Sequence, residues 1–289
     1  MPRATPFAAV GLLALFVLGC DGATGDAGDA STGTDAGPVS AGPDPFRPDG
    51  GVWTPTPGTP WYWQLTGDLD RDRAVPVYDV DLFDTPTDTL RALQAQDIRV
   101  ICYFSAGSYE EWRADADRFA AEDLGAPLDG WPGERWLDVR SAAVRAILEA
   151  RLDLAAAKGC DAVEPDNVDG YTNDPGFDLR PADQLDFNRW LADAAHRRGL
   201  SVGLKNDLDQ IPALVDHFDW ALNEECVEYQ ECEAYGPFIA QGKAVFHVDY
   251  AADDELDAVC TQTAGLGLSS AVAAEALDGS RWQGCWERP

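Results

Sequence analysis

From residue 61 onward, short apolar runs alternate with longer stretches in which apolar and polar residues are mixed. The short runs are rich in β-branched and aromatic residues, which are typical of buried strands. Those that predict strands are residues 61–65, 76–82, 99–104, 136–139, 161–164, 201–204, 220–222 and 244–248. Because strands that alternate with helices favour parallel βα units, the pattern predicts an α/β fold.

Three of the intervening stretches have the spacing of amphipathic helices, namely residues 87–96, 141–158 and 181–198. In the second stretch, Val144, Ile147 and Leu152 fall near one helical face, and Gly159 is a stop signal. The third begins at Pro181, whose fixed φ suits the first turn of a helix. These signals place helices between the predicted strands.

The strand and helix candidates together predict a closed (β/α)8 TIM barrel, a single catalytic domain over residues 61–289. Residues 266–272 are a ninth strand candidate, so the identity of the eight barrel strands stays open. A doubly wound open sheet is the alternative. It is disfavoured because no strand candidate is followed by the Gly-rich dinucleotide fingerprint.

Residues 1–20 have the composition of an export signal. Arg3 precedes an apolar run over residues 7–18, which is too short for a transmembrane helix. Residues 17–20 read Val-Leu-Gly-Cys and resemble a bacterial lipobox, whose cysteine becomes lipidated. We expect Cys20 to anchor an exported lipoprotein that faces the periplasm or the cell exterior, and an ordinary secretory signal is the alternative. Both interpretations take the chain out of the reducing cytosol.

Residues 21–60 consist mainly of Gly, Ala, Asp, Ser, Thr and Pro, with few large apolar side chains. Such a segment cannot bury enough surface to offset the entropy lost on ordering. We therefore predict a disordered tether between the lipid anchor and the folded domain. The lipid is the only membrane contact that we expect.

Acidic residues outnumber basic residues by 51 to 21, which gives a formal net charge of −30. A polyanion of this strength repels phosphate backbones, which excludes nucleic acid as a partner. The chain has ten Trp, eleven Phe and eight Tyr, a composition compatible with a sugar cleft, whereas its three His cannot form a His-rich metal centre. We expect a monomer that binds no metal and no cofactor.

Six cysteines follow the signal segment, an even number that suggests disulfides in an exported chain. The predicted bonds are Cys226–Cys232, which would close a short loop, and Cys260–Cys285, which would fasten the C-terminal region. Cys102 and Cys160 lie in strand-like contexts, where they either pair or remain buried thiols. Zinc binding is the rival interpretation, but the sequence contains no CxxC pair.

Carboxylate, amide and aromatic side chains are concentrated directly after the predicted strands, where the active sites of barrel enzymes lie. The candidate site residues are Trp63, Gln64, Asp79, Asp81, Tyr103, Ser105, Glu164, Asp166, Asn167, Tyr171, Lys205, Asn206, Asn223, Glu224, Asp249 and Tyr250. These groups hydrogen-bond to sugars and stack on them, and no phosphate-binding loop accompanies them. The pattern therefore indicates a sugar cleft.

Several segments resemble, in order and with barrel spacing, glycoside hydrolase family 114, the endo-α-1,4-polygalactosaminidase-like barrels. They are WQL (63–65), YDVDLFDT (78–85), VICYFSAGSYEEWR (100–113), GCDAVEPDNVDGY (159–171), GLKND (203–207) and NEEC (223–226). The resemblance implies hydrolysis of α-1,4-linked galactosamine polymers by two carboxyl groups. By motif, these groups belong to Asp166 of EPDN and Glu224 of NEEC.

Glycoside hydrolysis needs one carboxyl group to protonate the leaving oxygen and another opposite the anomeric carbon. We assign Asp166 as the nucleophile and Glu224 as the acid/base of a retaining mechanism. Glu164 alternates with Asp166 along the same strand and is an alternative acid. The other candidate residues of the rim are predicted to bind substrate.

The negative charge of the domain would attract a deacetylated, cationic amino-sugar polymer, although it would also serve solubility alone. Two other function classes stay open. One is a non-catalytic carbohydrate-binding lipoprotein on the same barrel, and the other is a hydrolase of a different α-linked amino-sugar or neutral glycan.

Overall fold

A mixed sheet forms a nearly closed barrel in the computed structural model, which describes residues 51–252 and 255–288. Its eight parallel strands pair in the order β1, β2, β3, β7, β8, β9, β10 and β11, and the predicted (β/α)8 architecture is confirmed. The strands are β1 (Tyr62–Gln64), β2 (Val77–Asp81), β3 (Arg99–Ser105), β4 (Ser108–Glu110), β5 (Leu124–Pro127), β6 (Glu134–Leu137), β7 (Ala162–Asp166), β8 (Ser201–Lys205), β9 (Trp220–Glu224), β10 (Val245–Asp249), β11 (Ser269–Ala273) and β12 (Trp282–Gly284).

All three predicted helices are present, with ends that differ by at most two residues from the sequence-based bounds. Gly159 ends α2 with φ 85°, and Pro181 opens α3, as their positions in the sequence indicate. Within the described ranges, no helix is both long and apolar enough to cross a bilayer. The helices are α1 (Thr87–Gln94), α2 (Ala142–Lys158), α3 (Pro181–His196), α4 (Ile211–Leu214), α5 (Gly236–Ala240) and α6 (Leu256–Thr263).

One predicted barrel strand is wrong. Residues 136–139 fall on β6, which belongs to a separate antiparallel sheet with β4 and β5 rather than to the barrel. In β6, Arg135 is exposed between the buried Glu134 and Trp136, an alternation typical of a sheet with one solvated face. The barrel strands β2, β8, β10 and β11 are instead buried at every residue. The ninth candidate, residues 266–272, supplies β11 and completes the barrel.

The two ends of the sheet meet through aromatic side chains. Strand β12 pairs antiparallel with β11, and its Trp282 packs edge-on against Trp61 and Tyr62, with ring centroids 5.1 and 5.4 Å apart. The Trp61 indole N–H also donates to the Ser269 carbonyl oxygen at 2.8 Å. These contacts bring β1 against β11 and β12, so the gap in the barrel wall is filled by packed rings.

The folded body begins before residue 61, the boundary predicted from composition. The predicted signal peptide, Cys20 and the tether up to residue 50 lie outside the described residues. Within residues 51–60, Trp53 packs against the core, and the Pro55 carbonyl accepts a hydrogen bond from Ala244 N at 2.9 Å. One side chain and one backbone carbonyl of the predicted tether thus contact the barrel.

Three disulfides are formed. Cys226–Cys232 and Cys260–Cys285 confirm the two predicted pairs. For Cys102 and Cys160 the sequence left either a disulfide or two buried thiols possible, and the structure shows the disulfide. Cys102 lies in β3 and Cys160 directly precedes β7, so this bond fastens two neighbouring barrel strands.

Replacing Gly203 by alanine should destabilise the barrel. A Cβ at this position would lie 2.4 Å from ring atoms of Trp220, its fully buried partner on β9. Overpacking of this kind costs about 1–3 kcal/mol of unfolding free energy. Urea denaturation of the oxidised protein should show a lower midpoint with an unchanged m value.

Gly236→Ala is the matched control, because a Cβ there meets no atom within 4 Å and the residue has helical backbone angles. We expect its midpoint to stay equal to or above that of the wild type. Equal losses in Gly203→Ala and Gly236→Ala would contradict the steric explanation.

Candidate active site

A cleft of about 600 Å³ lies at the carboxyl-terminal ends of the barrel strands. Half of the residues predicted from the sequence line it, and they come from β1, β3, β7, β8, β9 and the segments that directly follow the strands. These residues are Trp63, Tyr103, Asp166, Asn167, Lys205, Asn206, Glu224 and Tyr250. The barrel therefore brings both predicted catalytic carboxyl groups to one cavity.

Three neighbouring strands end in the same way. The last residues of β7, β8 and β9 are Asp166, Lys205 and Glu224, and each is followed by a residue in the left-handed region. The following residues are Asn167 (φ 60°), Asn206 (φ 47°) and Glu225 (φ 64°). Asn tolerates this conformation better than most residues, because its short side chain hydrogen-bonds locally. The sharp turns end the strands at the rim of the cleft.

The buried ammonium group of Lys205 connects the carboxyl groups of the site. Its Nζ lies 2.8 Å from Glu164 Oε1, 3.4 Å from Asp166 Oδ1 and 3.2 Å from Glu224 Oε2. Its side chain is 1% exposed, and Nζ lies 4.6 Å from the Trp63 ring centroid. Burial alone would lower the pKa of Lys205, but the surrounding carboxylates raise it well above its usual value. Lys205 therefore stays charged.

Asp166 is held by donors from two sides. The backbone N–H of Asn167 donates to Oδ1 at 2.7 Å, and the Tyr103 hydroxyl donates to Oδ2 at 3.1 Å. Burial raises the pKa of Tyr103 well above its usual value, so this phenol keeps its proton. The Asn167 side chain is fixed in turn by donating to Ser105 Oγ at 2.9 Å. These hydrogen bonds fix the orientation of the Asp166 carboxyl group.

Glu224 has an equally specific set of partners. The Tyr250 hydroxyl donates to Oε1 in a short hydrogen bond, and Asn206 Nδ2 donates to Oε2 at 3.3 Å. Asn206 Oδ1 accepts from the backbone N–H of Glu224 at 3.0 Å and from Asn223 Nδ2 at 3.2 Å. One amide side chain thus fixes both the backbone and the carboxyl group of Glu224.

The two predicted catalytic carboxyl groups face the same cation. Because Asp166 Oδ1 and Glu224 Oε2 lie 3.4 and 3.2 Å from Lys205 Nζ, these oxygens are less than about 7 Å apart. This separation excludes the wide end of the roughly 6.5–9.5 Å range of inverting glycosidases and includes the roughly 5–5.5 Å of retaining ones. The shared contact with Lys205 therefore brings the two carboxyl groups into the same part of the cleft.

Burial raises the pKa of other carboxyl groups in and around the cleft. It raises the pKa of Glu164 to about 7 against the opposing charge of Lys205. Burial also raises the pKa of Glu134 to about 7 and that of Asp169 to about 6. These groups exchange protons near neutral pH, so the charge of the cleft depends on pH.

Eight predicted substrate-binding residues do not line the cleft. They lie below its floor or beside it, and most of them hydrogen-bond to protein groups instead. Asp81 holds Arg113 through two hydrogen bonds of 2.7 and 3.0 Å, and Asp249 Oδ2 lies 2.7 Å from His247 Nε2. The eight residues are Gln64, Asp79, Asp81, Ser105, Glu164, Tyr171, Asn223 and Asp249.

The remaining residues of this group also have structural partners. The Gln64 amide donates to the carbonyl oxygens of Thr66 and Asp68 and so holds a loop beside the cleft. Tyr171 donates to Asp207 Oδ1 at 3.2 Å, and Asn223 Oδ1 accepts from Cys226 N at 3.0 Å. Ser105 Oγ lies 2.6 Å from Ser108 Oγ. Asp79 and Glu164 are fully buried. These side chains thus have protein partners beside or beneath the cleft, and Gln64 also lines an adjoining cavity.

Sequence reasoning missed most of the cleft wall. Trp131 and Glu134 come from the loop that joins β5 to β6 and from β6 itself, and Tyr229 and Glu231 come from the loop closed by Cys226–Cys232. Glu225 also lines the cleft next to Glu224, because its left-handed φ breaks the alternation of strand residues. No strand or helix period marks loop residues, and the local signal was the cluster of Glu residues over 224–233.

One group of potential metal ligands comes together in the described part of the chain. The donor atoms of Cys226, Cys232 and His247 lie within 4.8 Å of one another. The two sulfur atoms are bonded to each other, however, which removes the thiolates that would bind a metal. The donor chemistry of this group therefore does not fit a metal site in the oxidised protein.

A parallel eight-stranded barrel with two carboxyl groups facing each other at the carboxyl ends of its strands defines a class of protein, the barrel glycosidases. The sequence profile of glycoside-hydrolase family GH114 matches residues 45–287. The chain belongs to this family and is a glycoside hydrolase. The resemblance inferred from the motifs is thereby confirmed.

Solved structures agree with this assignment. The chain is similar to Aspergillus fumigatus Ega3 in complex with galactosamine, with 42% identity, a TM-score of 0.78, and coverage of 81% of this chain and 98% of that chain. The glycoside hydrolase domain of PelA from Pseudomonas aeruginosa shares the fold, with 16% identity, a TM-score of 0.64, and coverage of 76% of this chain and 96% of that chain. No match was found among curated protein sequences.

Breaking the Cys226–Cys232 disulfide should impair activity as well as stability. The bond closes the loop that carries Tyr229 and Glu231, and Cys226 N holds the Asn223 side chain beside Glu224, one of the two predicted catalytic residues. For so short a loop we expect a cost of roughly 2–3 kcal/mol in unfolding free energy for the Cys→Ser double variant. Misplacement of the site should lower kcat/KM by roughly tenfold or more.

The matched control is the Cys→Ser double variant of Cys260–Cys285, which closes a longer loop away from the cleft. We expect it to lose roughly 3–4 kcal/mol of unfolding free energy while kcat/KM of the folded protein stays unchanged. Steady-state kinetics and urea denaturation measure both quantities. An unchanged kcat/KM without Cys226–Cys232 would show that its loop does not shape the site.

Proposed function

We propose that the protein is an endo-α-1,4-polygalactosaminidase that cleaves galactosamine-containing polysaccharide with Asp166 and Glu224. The observation that carries the proposal is the contact of both carboxyl groups with one buried ammonium, that of Lys205, at the floor of a large cleft. The relative at 42% identity was solved with galactosamine, which supports the choice of sugar.

The proposed mechanism is retaining and proceeds in two steps. In the first, Asp166 attacks the anomeric carbon, Glu224 gives its proton to the glycosidic oxygen, and the bond between that carbon and oxygen breaks. In the second, the Glu224 carboxylate takes a proton from water, whose oxygen attacks the anomeric carbon and displaces Asp166. Glu224 is then protonated again and Asp166 is again a carboxylate. Tyr103 and Tyr250 orient the two groups throughout.

The charge of the cleft supports a cationic substrate. Among the described residues that line it, eight have carboxyl side chains and one, Lys205, has a cationic side chain. Lys205 is already surrounded by carboxylates, so the remaining acids are available to ammonium groups of an amino sugar. Trp131 and Tyr229 are 53% and 65% exposed, and they offer ring faces on which sugars stack.

The shape of the surface supports cleavage within a polymer. A second cavity of about 610 Å³ adjoins the cleft and shares Leu65 and Thr66 with it. Asp68 and Asp84 line this second cavity. A polysaccharide that crosses Leu65 and Thr66 would occupy both cavities, with the bond to be cleaved inside the chain instead of at its end.

We further propose that the enzyme is exported and anchored through Cys20. The short apolar run and the lipobox-like residues 17–20 support export, and so do the three disulfides of the folded body, because such bonds persist in oxidising compartments. The enzyme would act at the membrane surface on polymer outside the cytoplasm.

Asp166→Asn and Glu224→Gln should each lower the release of product from deacetylated polygalactosamine by roughly 10²–10⁴-fold. Both substitutions preserve side-chain shape, so melting curves should remain close to that of the wild type. Reducing-end assays measure the rate, and NMR of the first product should show the α anomer. Asp153→Asn on the outside of α2 is the control, with unchanged activity expected.

Three outcomes would contradict parts of this proposal. A first product of β configuration would remove Asp166 from the role of nucleophile. Faster cleavage of an N-acetylated or neutral polymer would reject the amino-sugar preference. A wild type that binds the polymer without cleaving it would indicate a carbohydrate-binding lipoprotein.

The full chain is expressed in bacteria that are fed labelled palmitate. The wild-type protein should carry the label and should be found in the membrane fraction. Cys20→Ser should abolish the label and release the protein from the membrane, whereas Thr24→Ser should change neither. Label that persists in Cys20→Ser would reject Cys20 as the anchor.

A further inference from the structure

Carboxyl groups outnumber cations beneath the floor of the cleft. Asp79 on β2 and Glu164 on β7 are both 0% exposed, and Lys205 is the cation that contacts Glu164. Lys205 already faces Asp166 and Glu224 as well. Two ionised carboxylates side by side in a fully buried position repel each other, and neither is stabilised by water. Full ionisation of all four groups is therefore strongly disfavoured.

The hydrogen-bonding atoms show the same conflict. Asp79 Oδ1, Asp79 Oδ2 and Glu164 Oε2 are buried and have no donor among the described residues. After the effect of burial, a side-chain hydrogen bond between the two groups raises the pKa of Asp79 and lowers that of Glu164, and these unpaired oxygens are the atoms available for it. Two ionised carboxylates have no proton to share, so the contact is favourable only when one group is a neutral acid. A single proton converts the repulsive contact into an O–H···O hydrogen bond.

The surroundings determine which group carries this proton. Glu164 Oε1 accepts from the Lys205 ammonium at 2.8 Å, which favours the carboxylate form of Glu164. Asp79 makes no ion pair within the described residues. On its other side, Asp79 is the register partner of Trp63, whose buried indole N–H has no acceptor in the part of the chain that the structure describes. A neutral Asp79 presents a carbonyl oxygen toward that strand and an O–H group toward Glu164.

We propose that Asp79 is a neutral carboxylic acid that donates its proton to Glu164 and so fixes Lys205 between Asp166 and Glu224. The inference rests on the proposed function of the latter two residues. Asp79 is a positioning residue that acts through Glu164 and Lys205. This role differs from the substrate contact expected from the sequence, which full burial beneath the cleft does not allow.

The groups that face Asp79 are Trp63 on β1, Glu164 and Asp166 on β7, and Lys205 on β8. Burial first, and then the charge of Glu164, raises the pKa of Asp79 well above its usual value. Asp79 therefore takes up a proton when the chain folds. Its contribution to stability is complete below the unfolded pKa of about 3.9 and decreases as the pH rises toward the folded pKa.

Asp79→Asn tests the protonation state. The amide has the shape of the neutral acid, keeps a donor for Glu164 and needs no proton at neutral pH. We expect Tm at pH 7 to equal or exceed that of the wild type, with the difference shrinking toward pH 4. Both kcat and KM should stay within about threefold of the wild-type values. The ratio kcat/KM, which measures stabilisation of the transition state, should then fall by less than about tenfold.

Asp79→Leu removes the donor while filling the same space. Glu164 then lacks the donor that fixes its second oxygen, so its carboxyl group and the Lys205 ammonium that it contacts can shift, and kcat should fall at least tenfold with little change in KM. Recovery of kcat in Asp79→Asn relative to Asp79→Leu would identify the hydrogen bond, not the volume, as the cause. If Asp79→Leu does not fold, the comparison of Tm values in Asp79→Asn still decides the protonation state.

Asp81→Asn is the matched control, two residues further along the same strand. Asp81 is nearly as buried as Asp79 but forms a two-bond ion pair with Arg113, so removal of its charge should lower Tm at pH 7. A similar loss of Tm in Asp79→Asn would show that Asp79 is ionised and would overturn the proposal. A raised KM with intact folding in Asp79→Asn would also overturn it, because that result indicates substrate contact.

Failure of this inference is distinguishable from failure of the proposed function. Asp166→Asn and Glu224→Gln are measured in the same assay, and full activity in those variants would reject the catalytic pair. The Tm contrast between Asp79→Asn and Asp81→Asn needs no activity, so it tests the shared proton in either case.

Discussion

The buried ammonium of Lys205 is the interaction on which the site depends. Removing a charged group from water costs several kcal/mol, and only well-placed opposite charges offset that cost. The offsetting groups, Glu164, Asp166 and Glu224, come from the two strands that flank β8, so β7, β8 and β9 must end at matching depths. The catalytic geometry is therefore a property of the sheet register. The left-handed residues that end these strands then open the cleft directly above the cation.

Most of the barrel could be predicted because each βα unit leaves a local signature. Ser141 caps α2 by accepting from Val144 N, Gly159 ends it, and barrel strands buried on both faces read as continuous apolar runs. The exception was the run at 136–139. These four residues are as apolar as those of a barrel strand. Only the pairing of β6 with β4 and β5 shows that they belong to a separate sheet. Strand pairing is a long-range property that composition does not encode.

The sequence named half of its candidate residues correctly as cleft-lining, Asp166 and Glu224 among them, but it could not show how deeply each side chain is buried. The period-two rule placed Glu164 and Asp166 on one face, and both reach Lys205. The same rule could not show that Asp79 and Glu164 lie one layer below the surface, because burial depends on how far each strand extends past its neighbours. The cleft wall, with Trp131 and Tyr229, comes from loops that have no period at all. Motif resemblance identified the chemistry, whereas the shape of the binding surface required the fold.

The strands β4, β5 and β6 pair with one another in a small sheet outside the barrel, and they lie between β3 and β7 in the sequence. Its turn supplies Trp131 and its last strand supplies Glu134 to the cleft, while Lys205 and the two proposed catalytic carboxyl groups belong to other elements. The wall of the cleft and the proposed catalytic pair thus lie on separate segments of the chain. The length and the sequence of the β5–β6 segment can therefore change during evolution, and with them the wall of the cleft, while Lys205, Asp166 and Glu224 stay in place.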